Sequence, residues 1–152
     1  MTDRLSPAQR SRNMARIRGA NTGPERILRS GLHRAGLRFR VHRSDLPGRP
    51  DIVLRRHSAA VFVHGCFWHR HRSCRYAVMP KTQPRFWAEK LGANRVRDRR
   101  QLELLLGAGW RVLVVWECAL RNQVQRDETI ACAARWIRSS SHYAEIPSEA
   151  KG

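Results

Sequence analysis

Residues 64 to 74 read HGCFWHRHRSC, which places three histidines, two cysteines and two large aromatic residues in eleven positions. Thiolate and imidazole are the donors that zinc takes in closed tetrahedral sites. Cys66, His71 and Cys74, spaced C-x4-H-x2-C, can wrap one ion from a single loop, and Cys118, at the end of WRVLVVWEC, can supply a fourth donor to complete a Cys3His set. On spacing alone His69 competes with His71 for that role. The alternative, cysteines used as small buried hydrophobes, suits Cys132 within IACAARWI but not Cys66 and Cys74, which share their segment with Arg70, Arg72 and Arg75. Four cysteines would also allow two disulfides, but in a chain expected to be intracellular, with histidines interleaved, metal binding is the expectation. Asp51 follows Pro50 ahead of an apolar run, where a carboxylate either closes a turn or holds a divalent cation. Glu25 stands three residues after Thr22, and from these residues alone a capping box is its stronger reading.

The scaffold for such chemistry is one domain by length, since 152 residues suffice for a single core. Thirty Lys and Arg against 12 Asp and Glu give a formal charge of +18, spread along the chain. Such an excess repels itself unless a polyanion relieves it, and nucleic acid is the commonest such partner, because neutralised phosphates release counterions. An anionic membrane surface is the competing partner. No apolar run is long enough to span a bilayer, and no basic stretch followed by an apolar one opens the sequence, so a cytoplasmic, nucleoid-associated protein is expected.

Residues 1–21 are polar and basic, with Met14 and Ile17 three apart on one helical face, and are expected to form a flexible arm. The segment TGPERILRSGLHRAG predicts a helix with Thr22 as N-cap, Leu28, Leu32 and Ala35 facing inward, and Gly36 as terminator. LRFRVH, RPDIVL and AAVFVHG predict a three-strand meander. A long helix from about Arg85 to Leu106 follows, then the buried strand WRVLVVW and a last helix from about Val124 to Arg138. Residues 139–152 are expected to be a frayed tail, which leaves 22–138 as the folded domain. The order of elements implies an α/β fold, a central mixed sheet flanked by helices.

Taken in order, LPGRPDIVL, HGCFWHRHRSC, FWAEK, NRVRDRR and GWRVLVVWECAL resemble the very short patch repair (Vsr) family of DNA mismatch endonucleases, from about Ser11 to Arg138. The resemblance implies a restriction-endonuclease-like fold and magnesium-dependent nicking of one strand of duplex DNA beside a T:G mismatch, the product of 5-methylcytosine deamination. It assigns Cys66, His71, Cys74 and Cys118 to structural zinc. It assigns Asp51 and the backbone carbonyl of Val63 to catalytic magnesium; members commonly carry Thr at that position, a change that a carbonyl ligand tolerates. His69 becomes the general base, Glu25 its orienting partner, and His64 a contact to the scissile phosphate. Pro50 and Asp51 match the start of a PD-(D/E)xK motif, but the next strand offers VFVHG in place of its carboxylate and lysine. Histidine chemistry replaces the lysine in this reading.

A T:G wobble is cheaper to pry open than a matched pair, so large apolar wedges can read it. Phe67, Trp68 and Trp87 are the candidates, while Trp110, Trp116 and Trp136 are assigned to the core. Lys90 and Asn94, spaced i, i+4, are expected to reach base edges, and Met14 and Ile17 to wedge from the minor groove. The rival functions are a zinc-stabilised DNA-binding module without catalysis and a nuclease cutting matched DNA. A monomer is the expected state.

Overall fold

The computed structural model describes residues 22–148. The arm over residues 1–21, with Met14 and Ile17, lies outside the described residues, as do residues 149–152.

Helix α1 (Gly23–Arg34) opens the described chain, and the next three strands, β1 (Arg40–Val41), β2 (Ile52–Leu54) and β3 (Ala59–His64), form the expected antiparallel meander. Helix α2 (Pro84–Gly107) then carries the chain to β4 (Arg111–Trp116), and α3 (Gln123–Arg138) carries it to β5 (Tyr143–Ile146). Both crossovers set parallel pairs, so the five strands lie in the order β1-β2-β3-β4-β5 as one mixed sheet.

Alternation along the two longest strands divides the core into two layers. Ala59 and Val61 of β3 with Leu113 and Val115 of β4 pack under Leu28 and Leu32 of α1 and Ala133 and Ile137 of α3. Ala60 and Phe62 with Val112, Val114 and Trp116 face the other way, toward Leu102 and Leu105 of α2. Trp116 and Trp136 are buried as expected. Cys132 is not: it lies on the solvent side of α3, one position before the inward Ala133, and is exposed. Its apolar neighbours in sequence fill the opposite face.

Residues 143–146, expected to fray, instead pair with β4. Two side chains compensate for the shortness of this strand. Arg111 donates to the carbonyls of Trp136, Ile137 and Ser141, at 2.7, 2.9 and 2.7 Å, which ties the end of α3 and the approach to β5 to the start of β4. Trp116 Nε1 donates to Glu145 at 2.8 Å.

Helices α1 and α3 approach closely at Gly31, where an added Cβ would lie 2.4 Å from Ile130 Cδ1. Gly31→Ala should therefore destabilise the protein by on the order of 1 kcal/mol, after the gain in helix propensity, and lower Tm by about 3 °C. Ile130→Val in the same chain removes Cδ1, the nearest of the three clashing atoms, and should recover part of the loss in thermal melts. An unchanged or raised Tm for Gly31→Ala alone would show that the helix pair is not tightly seated.

Candidate active site and metal centre

The C-terminal ends of β3 and β4 lie side by side, His64 in register with Trp116, and β2, running the other way, starts at the same end of the sheet just after Asp51. Three groups of potential ligand side chains collect there, each with its donor atoms within 4.8 Å of one another.

Cys66, His71, Cys74 and Cys118 form the first group. The loop after β3 turns back on itself, with His71 N–H donating to Cys66 O at 2.9 Å and Ala77 N–H to Cys74 O at 3.1 Å. The ring of His71 stacks on Trp116 with centroids 4.1 Å apart, and its Nδ1 lies 3.5 Å from Cys118 Sγ. Burial, joined by the neighbouring sulfurs, pushes the Cys66 thiol far above its ordinary range, and burial pushes Cys118 up as well. Thiols crowded in this way ionise readily only if a cation sits among them, and three sulfurs with one imidazole nitrogen are the donor set of structural zinc.

The second group is His64, His69 and Asp98. The two imidazoles stack, 3.8 Å between centroids and 5° between planes. His69 Nδ1 is 2.5 Å from Asp98 Oδ2. Burial, and secondarily the His69 ring, hold His64 well below the usual histidine range, so it is neutral near pH 7.

In the third group Glu25, 2% exposed, receives His42 Nε2 at 2.7 Å, with Arg29 at 3.6 Å. Asp51 belongs to this group, and its Oδ2 accepts the Val63 N–H at 2.7 Å. Burial, reinforced by Glu25 and opposed by the Val63 N–H, pushes Asp51 up to about 7. The second and third groups face one another across a cleft of about 640 Å³. Arg49 and Arg97 with a pair of shielded carboxylates in one cleft suit a polyanionic substrate and a divalent cation.

The family profile described as "DNA mismatch endonuclease Vsr" matches residues 2–75. The chain is 52% identical over 122 residues to the type II nicking enzyme V.XorIIP of Xanthomonas oryzae pv. oryzae, covering 80% of this chain and 89% of that one. It is 43% identical over 151 residues to the DNA mismatch endonuclease Vsr of Escherichia coli, covering 98% and 96%. The type II nicking enzyme V.NmeAIP of Neisseria meningitidis is 38% identical over 140 residues, covering 92% and 99%. The chain belongs to the Vsr family.

Within this Vsr family member the expected residues assemble, with three departures. Cys66, His71, Cys74 and Cys118 meet, and Asp51, Val63, His64 and His69 share the cleft. Among the described residues His69 Nδ1 meets Asp98 and not Glu25, because α2 runs past the loop and Glu25 is turned toward His42 and Asp51. Nor does Thr22 make the side-chain half of a capping box. Asn94 is buried, and its Nδ2 donates to Trp68 O at 3.0 Å, so that donor braces the loop instead of reaching a base edge. Lys90 remains half-buried one turn earlier. Phe67, Trp68 and Trp87 do cluster, with centroids 5.0 to 6.0 Å apart, and Phe86, 52% exposed, adds a fourth ring against Trp87 at 5.2 Å. Sequence reasoning missed Phe86, His42 and Asp98. Asn94, Asp98 and Gln101 all line the cleft at i, i+4, i+7, a polar stripe that could have marked Asp98.

Proposed function

We propose that the chain is a magnesium-dependent endonuclease of restriction-endonuclease-like architecture that nicks one strand of duplex DNA beside a T:G mismatch and carries a structural zinc at Cys66, His71, Cys74 and Cys118. The observation that carries this reading is the meeting of a carboxylate group and an oriented histidine across one cleft, beside an aromatic cluster.

Asp51 and the Val63 carbonyl would hold magnesium, which when bound neutralises charge developing on the phosphoryl oxygens and lowers the pKa of water. The Val63 N–H fixes Asp51 Oδ2 and so would orient the carboxylate toward a bound cation. Asp98, accepting from His69 Nδ1, fixes the tautomer in which Nε2 is free to take the proton of the attacking water. His64, kept neutral, can donate an N–H to a phosphate oxygen without bringing a charge of its own against the stacked His69 ring. Phe67, Trp68, Trp87 and Phe86 form the apolar surface on which an opened base step would stack, and Lys90, Met14 and Ile17 would add contacts to the duplex.

Purified protein with magnesium, given duplexes that differ only in T:G, T:A or C:G at one position, should nick one strand of the first alone. Cleavage of all three would favour a nuclease for matched DNA, and binding without nicking would favour a module that has lost catalysis. Trp68→Ala should reduce the preference for T:G over T:A by about five- to a hundredfold, the worth of one stacked base, while matched-DNA affinity, dominated by phosphate contacts, changes less. Equal losses on both duplexes, in binding titrations at fixed salt, would remove Trp68 from lesion reading.

A further inference from the structure

Glu25, His42 and Asp51 come from three elements, the first turn of α1, the residue after β1 and the residue before β2. His42 Nε2 is 2.7 Å from Glu25 Oε2, and all three side chains place a donor atom within 4.8 Å of the others. His42 lines the same cleft as Asp51, Val63 and His69. Its backbone is left-handed, with φ at 50°, a conformation that non-glycine residues adopt at a cost of about 1 kcal/mol or more. From there its N–H donates to Asp51 O at 3.3 Å, so the bend that carries this cost also brings the imidazole over the carboxylate pair.

We infer that His42 is a nitrogen donor to the divalent cation held at Asp51, with Glu25 as a further oxygen donor, and that the site consequently binds manganese in preference to magnesium. The inference rests on the proposed magnesium-dependent nuclease and adds to its cation site a nitrogen donor and a tighter affinity for manganese. Magnesium takes oxygen donors and gives up water reluctantly, whereas imidazole belongs with first-row transition ions. Manganese accepts carboxylates as well as imidazole, which matches a set of two carboxylates, a carbonyl and one nitrogen. Adjacent donors on an octahedral ion with bonds of about 2.1 Å lie about 3 Å apart. The His42 to Glu25 pair thus needs to open by only a few tenths of an ångström, an adjustment within the reach of two side chains. Arg29, 3.6 Å from Glu25, supplies a positive charge with which a bound cation would compete for that carboxylate.

The test uses zinc-loaded full-length protein, manganese alone and no DNA. Titration followed by electron paramagnetic resonance should give one tight manganese per chain, competed by magnesium only at a tenfold or greater excess, and spin-echo modulation should show a directly bound nitrogen. His42→Gln should abolish the nitrogen signal and weaken manganese about tenfold; His69→Ala should leave both intact. A nitrogen signal that persists in His42→Gln, or vanishes in His69→Ala, overturns the inference, as does magnesium competing on equal terms. Should His42→Gln fail to fold, the His69→Ala spectrum and the magnesium competition in the wild type still decide it. Because DNA is absent, failure to nick T:G duplexes and failure of His42 to bind metal are read separately.

Discussion

Asp51→Asn should reduce T:G nicking on the order of a thousandfold, since it keeps the size of the side chain and removes the charge that holds the cation beside the scissile phosphate. DNA binding without metal should be unchanged or tighter, because a negative charge facing phosphate has gone. His69→Ala should also spare binding and cost about a hundred- to ten-thousandfold in nicking, the usual worth of a general base. The two variants separate by metal dependence: raised magnesium or manganese should partly restore Asp51→Asn and do little for His69→Ala. Asp51→Asn carries a second signature. With its carboxyl pushed up to about 7 by burial, above an unfolded value near 4, Asp51 holds its proton in the folded protein after the unfolded chain has released it. Its contribution to stability is full below about pH 4 and is lost as pH rises through about 7. The Asn variant escapes that loss, so without magnesium its Tm relative to wild type should climb between pH 5 and 8. A gap that stays flat or narrows would contradict the buried, proton-holding carboxyl, and wild-type nicking by Asp51→Asn at ordinary magnesium would dismiss the site.

Cys118→Ser should remove zinc and much of the fold's stability together. Zinc at a structural site contributes on the order of 10 kcal/mol to the folding of small domains, a contribution as large as the whole net stability of many proteins. Cys118 follows β4, whereas the other three ligands lie in the loop after β3, so the ion would join two parts of the chain that the sheet alone brings together. Metal analysis and thermal melts should report below one zinc per chain and a Tm lower by well over 10 °C. A folded variant that keeps one zinc excludes Cys118 as a ligand.

The legible parts of this molecule are those whose signal is local. Cys66, His71 and Cys74 occupy one loop, and β3 and β4 are unbroken apolar runs, so both followed from spacing and period. Asp98 and His42 were hidden because their partners lie 29 and 17 residues away; the spacing of Asn94, Asp98 and Gln101 is the one hint of the first, and nothing in RVHR distinguishes the second from a solvated side chain. Read from its neighbours alone, Glu25 fits a helix cap, and only the family resemblance points to a place for it in the site. Its burial, which decides the matter, depends on β1 and the approach to β2 closing over it. Asn94 likewise looked free on a charged helix until the loop carrying Trp68 folded onto it.

Strand β5 has a consequence for keeping this protein soluble. It covers one side of β4, whose run RVLVVW would otherwise present an open ladder of peptide groups between apolar side chains. Uncovered edges of that kind recruit strands from other molecules, and four residues held in place by Arg111 and Trp116 are what stand in the way here. A chain shortened at Arg138, where the helical pattern ends, would therefore keep every residue of the cleft and yet tend to aggregate.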